Sequence, residues 1–161
     1  MSAPTETQRT RSTRVVGIAA WTDNAAEAHP STAAIPGLWA RFTHEDWFAR
    51  LEHNGGIGPP VAVYSDYETD ASGRYRILVG REVHGETGAV ASLSSVEIPS
   101  GRYLVFRVEG PIPRAVIDCW QQVWTFFAQP GQRQRAYTAD LEVYDADGTG
   151  VEIWIAVSHG K

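Results

Sequence analysis

Displaced by 77 positions, the step that carries Ile35 onto Ile112, the chain aligns with itself without a gap from Ile35 to Gly73. Ile35-Pro36 meets Ile112-Pro113, Trp47 meets Trp124 and Ala62 meets Ala139. Tyr67 meets Tyr144, Asp70 meets Asp147 and Gly73 meets Gly150. The aligned residues take the same parts in each copy: a proline opens a helix, an aromatic follows within it, and an Asp and a Gly turn the chain between strands. A chain made of two copies of one unit is expected to repeat one order of elements about an approximate twofold axis.

In the first copy, residues 14–21 are rich in Val and Ile and read as a strand, followed by a polar loop over 23–31. A helix is predicted over 35–53, with Ile35, Leu38, Trp39, Phe42 and Leu51 at helical spacing and Asn54-Gly55-Gly56 as its stop. Residues 61–68 and 74–83 form a hairpin about Asp70, Ser72 and Gly73. The second copy opens with a strand over 96–109, interrupted at Pro99-Ser100-Gly101. A helix over 113–129 follows, with Val116, Trp120, Val123, Trp124 and Phe127 on one face. Strands over 137–144 and 151–157 close it, around the turn Asp145-Ala146-Asp147-Gly148. The fold class predicted is α+β: duplicated βαββ units with pseudo-twofold symmetry, an antiparallel sheet with two main helices, and a cleft between the halves. Residues 1–13 read as a polar N-terminal tail and 14–161 as a single domain. The repeat units fall at about 14–84 and 96–158, with 85–95 as a linker. One domain suits 161 residues of which 43% are apolar.

The formal net charge of -5 suits a phosphate backbone poorly. Arg9, Arg11 and Arg14 read as part of the solvated tail, and no direct nucleic-acid partner is expected. No apolar run reaches the roughly 18 residues of a membrane span, and the start of the chain lacks an apolar leader segment. Cys119 is the lone cysteine, so no internal disulfide forms and a cytoplasmic location is expected. Six Trp, six Tyr and five Phe are generous for one small core. Rings beside a carboxylate suit an apolar cation, through stacking, cation–π contact and counter-charge.

Period-two alternation along the last hairpin sends Leu141, Val143, Ile153, Ile155 and Val157 toward a helix. It sends Asp140, Glu142, Tyr144, Glu152 and Trp154 to the opposite face, which sets Glu142 between the rings of Tyr144 and Trp154. A carboxylate buried there is costly unless paired, so an apolar cation is the ligand that relieves it. Trp39, Tyr64, Tyr67, Phe106 and Trp120 complete the candidate ligand contacts. Trp47 and Trp124, equivalent in the repeat, read as structural.

The stretches 35–42 (Ile-Pro-Gly-Leu-Trp-Ala-Arg-Phe), 64–68 (Tyr-Ser-Asp-Tyr-Glu), 96–106, 120–127, 140–144 (Asp-Leu-Glu-Val-Tyr) and 152–157 (Glu-Ile-Trp-Ile-Ala-Val), in that order, resemble the GyrI-like small-molecule-binding domain. That domain also serves as the effector-binding domain of AraC- and MerR-type transcription regulators. The resemblance runs from about Val15 to Val157. It implies a duplicated, SH2-like βαββ fold with a ligand cleft between the halves, and a cleft glutamate, matched by Glu142, that receives lipophilic cationic drugs. The chain departs from the regulators in having only about 14 residues before the first strand, too few for a helix-turn-helix or winged-helix module, so any effect on transcription is expected to pass through a partner.

The function expected from residues and resemblance together is a stand-alone binding protein for lipophilic, cationic, aromatic small molecules, in drug sensing or sequestration. Two alternatives stay open. One is a hydrolase of strained-ring, cyclopropane-type genotoxic compounds using Glu142. The other is a protein-interaction role, such as gyrase inhibition, with a protein partner or homodimer. No cofactor is expected. Asp145-Ala-Asp-Gly-Thr-Gly150 looks like the start of a calcium loop, but the twelfth position, where a bidentate Glu is needed, is Ala156. The five His show no zinc-ligand spacing, so no metal is expected. Nucleotide and hydrolase glycine motifs are absent, and Cys119 reads as buried rather than nucleophilic.

Overall fold

The computed structural model describes residues 3–84 and 93–158. Among these, eight strands and four helices follow one another: β1 (Thr5–Arg9), β2 (Thr13–Thr22), α1 (Asn24–Glu27), α2 (Ile35–His44), α3 (Trp47–Glu52), β3 (Gly56–Ser65), β4 (Tyr75–Val83), β5 (Ser94–Ile98), β6 (Gly101–Glu109), α4 (Arg114–Ala128), β7 (Ala139–Tyr144) and β8 (Gly150–Val157). The class is α+β, with one antiparallel sheet in the order β1-β6-β8-β7-β3-β4-β2-β5.

This order has the same pattern read from either end. β7 and β3 meet at the centre, each opening the hairpin of its own half, and β8 and β4, then β6 and β2, lie successively outward. The hairpin registers also carry the 77-residue step: Tyr64↔Ile77 and Ser65↔Arg76 become Leu141↔Trp154 and Glu142↔Ile153 when 77 is added to each number. The outermost strands are exchanged. β1 precedes β2 in the chain but pairs with β6, and β5 precedes β6 but pairs with β2.

That exchange dictates the shape of the sheet. Ile98 ends β5 and Gly101 begins β6, and three residue steps reach at most about 11 Å. β5 at one end of the order and β6 near the other are thus drawn together, and the sheet curls. One core cluster fills the inside of the curl, with Val15, Val63, Leu78, Ile98, Tyr103 and Leu141 among its buried members. On the other face α2 and α3 cover β2, β3 and β4 through Leu38, Phe42, Trp47 and Leu51, and α4 covers β6 and β8 through Ala115, Cys119 and Val123.

Several expectations are corrected. Residues 5–9, read as part of a solvated tail, form edge strand β1, whose Glu6 pairs with Arg102 at 3.2 Å and with Arg133. The polar loop over 23–31 contains α1, capped by Asp23, whose Oδ1 accepts from the Ala26 amide at 2.7 Å. The single helix over 35–53 is two, broken at Asp46, which adopts φ 57°. In an unbroken helix, at about 100° per residue, Leu51 stands roughly 180° from Phe42; the break brings Trp47 and Leu51 into the core with Leu38 and Phe42. The interrupted strand over 96–109 is two strands with different partners, because Pro99 lacks an N–H and Gly101 turns the chain at φ 143°. Of the expected linker, 85–92 lie outside the described residues, and Ser94 and Ser95 belong to β5. The first hairpin strand starts earlier than expected, at Gly56. Its register shifts between Ile57 and Val61, where Pro59 and Pro60 have no hydrogen to donate.

Gly17 and Gly80 face each other across β2 and β4. A Cβ on Gly17 stands 2.0 Å from the Val79 carbonyl oxygen, and one on Gly80 stands 2.0 Å from that of Val16. Neither obstacle is a movable side chain. Gly80→Ala is expected to lower the unfolding free energy by about 3 kcal/mol or more, read from urea denaturation; an unchanged midpoint would contradict this close approach.

Candidate functional site

Between α2 and α4, over the central strands β3 and β7, lies a cavity of about 800 Å³, within the range of small-molecule sites. Ile35, Pro36 and Trp39 of α2 form one wall, and Val116, Ile117, Trp120 and Trp124 of α4 the opposite one. Tyr64, Tyr75, Glu142 and Tyr144 form the floor. Pro36 and Pro113 open their helices without breaking them, since a first-turn N–H has no intrahelical acceptor. The first turns of both helices line the cavity.

Glu142 is 2% exposed. Its Oε2 accepts from Tyr64 Oη at 2.7 Å and from Trp120 Nε1 at 2.6 Å, and its Oε1 accepts from Tyr144 Oη. One donor comes from β3, one from α4 and one from β7 itself, so both halves of the molecule meet on this carboxylate. Burial pushes its carboxyl above the ordinary value, against the opposing pull of the Tyr144, Trp120 and Tyr64 donors. Burial first, and then the Glu142 charge, push the hydroxyls of Tyr64 and Tyr144 well up, which keeps them protonated and donating.

The rings interlock around it. Trp39 meets Tyr144 edge-on at 5.0 Å, Tyr64 meets Trp120 at 5.3 Å and Tyr75 at 5.5 Å, and Trp120 lies 6.0 Å from Trp124. At one end of the cavity Tyr67 donates to Asp140 Oδ2 at 2.6 Å, and Arg135 pairs with the same oxygen at 2.8 Å. Asp140 is fully buried, and its second oxygen accepts from the Ala156 amide at 2.9 Å. The ion pair fixes Tyr67 and Arg135, both of which line the cavity.

Of the candidate residues, Glu142, Tyr144, Trp39, Tyr64, Tyr67 and Trp120 come together here. Trp154 does not. β8 has the phase expected, with Ile153, Ile155 and Val157 under α4, but β7 is inverted: Glu142 lies opposite Ile153, and Leu141 opposite Trp154. Directly opposed residues share a face, so Trp154 projects to the other side of the sheet. There its indole donates to Glu152 at 3.1 Å and lies 5.5 Å under Arg9. Phe106 is also elsewhere, packed beneath α4 against Phe126 at 5.4 Å. Cys119 is fully buried, and burial pushes its thiol up to about 11.

Trp124, read as structural, is 50% exposed and lines the cavity mouth with Ile117. Glu27, Asn24, Tyr75 and Arg135 also line it and were not singled out in the sequence. Asp140 was legible only as a face-mate of Glu142. No group of three or more His, Cys, Asp or Glu among the described residues is arranged to hold a metal, and no helix among them is long and apolar enough to cross a membrane.

A duplicate-looking sheet, two flanking helices and a buried carboxylate under an aromatic cavity define an effector-binding protein of the GyrI-like kind. The chain belongs to the Cass2 family of integron-associated effector binding proteins, whose model matches residues 8–157. It is similar to the integron cassette protein VCH_CASS2 from the mobile metagenome of Vibrio cholerae, with 30% identity, a TM-score of 0.82, and coverage of 98% of this chain and 97% of that one. It is 28% identical over 150 residues to YobU of Bacillus subtilis (strain 168), whose name assigns it provisionally to transcriptional regulation; the match covers 89% of this chain and 91% of YobU. The fold is shared with SAV2435, solved bound to tetraphenylphosphonium, at 21% identity and a TM-score of 0.78, covering 98% of this chain and 94% of that one.

Proposed function

We propose that the protein binds lipophilic, cationic, aromatic small molecules in the cavity between α2 and α4, with Glu142 as the counter-charge. The observation that carries the reading is a buried carboxylate whose hydrogen-bond partners, Tyr64, Trp120 and Tyr144, are all neutral. In a low-dielectric cavity an uncompensated charge acts over several ångströms. A cation brought among these rings offsets the burial of Glu142, which a neutral ligand does not. Trp39, Trp120 and Trp124 offer ring faces and edges to a flat or globular aromatic group. The tetraphenylphosphonium bound by SAV2435 is an ion of this class and supports the reading. Sensing such compounds in transcriptional regulation is the role consistent with YobU's name.

The test is a fluorescence titration with a panel of cationic aromatic dyes, with the cavity tryptophans as reporters. Saturable quenching is expected, with a smaller amplitude in Trp124→Phe. Quenching that rises linearly with dye, without saturation, would contradict a defined site.

A further inference from the structure

Two carboxylates line the cavity from different walls, and only Glu142 belongs to the charge site above. Glu27 reaches the cavity from α1. Its Oε2 accepts from Thr22 Oγ1 at 2.5 Å and from the Ala34 amide at 2.7 Å, while its Oε1 accepts a single bond from the Ile35 amide at 3.2 Å. A carboxylate offers about four acceptor positions, so Oε1 retains acceptor capacity. These donors hold the group in place but bring no formal positive charge. Tyr75 also lines the cavity: its hydroxyl donates to Asn24 at 2.9 Å, and burial first, then the charges of Glu27, Asp23 and Glu142, oppose its ionisation. Arg135 is the one cationic side chain among the described residues lining the cavity, and Asp140 neutralises it at 2.8 Å. The cavity therefore has two carboxyl groups on separate walls, neither paired with a cationic side chain among the described residues, in a space of about 800 Å³.

We propose that Glu27 is a second anionic subsite, so that the cavity selects elongated aromatic dications, one charge held at Glu142 and the other at Glu27, over monocations with the same rings. This rests on the cation-binding reading above. A half-buried charge contact raises affinity by about tenfold.

Ethidium and propidium test it on the full-length chain. They share a phenanthridinium ring system, and propidium adds a quaternary ammonium on a short flexible arm. Propidium is expected to bind about tenfold more tightly. Glu27→Gln should bring the two dyes to near-equal affinity with ethidium almost unchanged, whereas Glu142→Gln weakens both. Glu52→Gln, an acid outside the cavity with a 68% exposed side chain, should leave the ratio as it is. Because Glu27 also braces α2, the wild-type ratio decides independently of that variant's folding: a propidium-to-ethidium preference of one or less overturns the proposal. A preference that survives in folded Glu27→Gln also overturns it. Failure of both dyes to bind would instead overturn the cation-binding reading on which it rests.

Discussion

Glu142→Gln is expected to lower the affinity for a cationic aromatic ligand about ten- to a hundredfold, the value of a desolvated charge contact of roughly 1.5–3 kcal/mol, and to leave a neutral ligand of the same shape nearly unaffected. The amide keeps one oxygen to accept from the donors that converge on this position, and it carries no charge to desolvate. The variant should therefore fold, and at neutral pH its stability should equal or exceed that of the wild type. Calorimetric titration of the two ligands, paired with a thermal melt, separates the effects. Equal losses for cation and neutral ligand would make Glu142 a structural strut of the cavity rather than its counter-charge.

The second large effect is a pH dependence. The carboxyl of Glu142 is raised by burial, and a cation is held only by its ionised form. Affinity for the cation should climb with pH through the titration of Glu142 and level off above it, falling about tenfold per pH unit below it. Binding near that titration should release a proton. Stability carries the opposite sign to that of an ordinary salt-bridged acid. The folded protein binds this proton more tightly than the unfolded chain does, so the contribution of Glu142 is greatest at low pH. It is lost as pH rises from the unfolded carboxylate value, about 4.3, through the raised folded value. Tyr64 of β3, Tyr75 of β4 and Tyr144 of β7 have hydroxyls pushed up by burial, Trp39 and Trp120 do not titrate, and Arg135 is paired with Asp140. Glu27 is the remaining acid lining the cavity. A flat affinity profile in Glu142→Gln, with the wild-type slope retained in Glu27→Gln, assigns the titration; a slope that survives in Glu142→Gln would contradict it.

The repeat made much of this legible. The 77-residue step read from a few identities is the step between the two hairpin registers, and Glu142 lies on the helix side of the sheet, in the cavity where the family resemblance put it, rather than on the face to which alternation sent it. The sequence misled where phase mattered rather than period. Ala139, Asp140, Leu141 and Glu142 of β7 are all buried, so hydrophobicity could not say which alternate residues face the helices; pairing with β8 decides it, and Trp154 falls on the far side. Trp47 and Trp124 are equivalent letters in inequivalent settings. The first follows the break at Asp46 and turns into the core, 4% exposed, while the second rides an unbroken α4 and is 50% exposed. β1 escaped notice because an edge strand needs only the backbone of its neighbour, and residues 5–9 (Thr-Glu-Thr-Gln-Arg) carry no apolar signal. Glu27 reaches the cavity from the four-residue α1 and Arg135 from the segment between α4 and β7, both too short to show a sequence period.

Charge, not only shape, is expected to govern what this cavity accepts. Tetraphenylphosphonium and tetraphenylborate have nearly the same size and the same four rings but opposite charge. Titrated separately into the wild-type protein and followed by tryptophan fluorescence, the phosphonium is expected to saturate the cavity at a concentration at least about a hundredfold lower than the borate. Equal affinity for the two ions, or tighter binding of the borate, would contradict it.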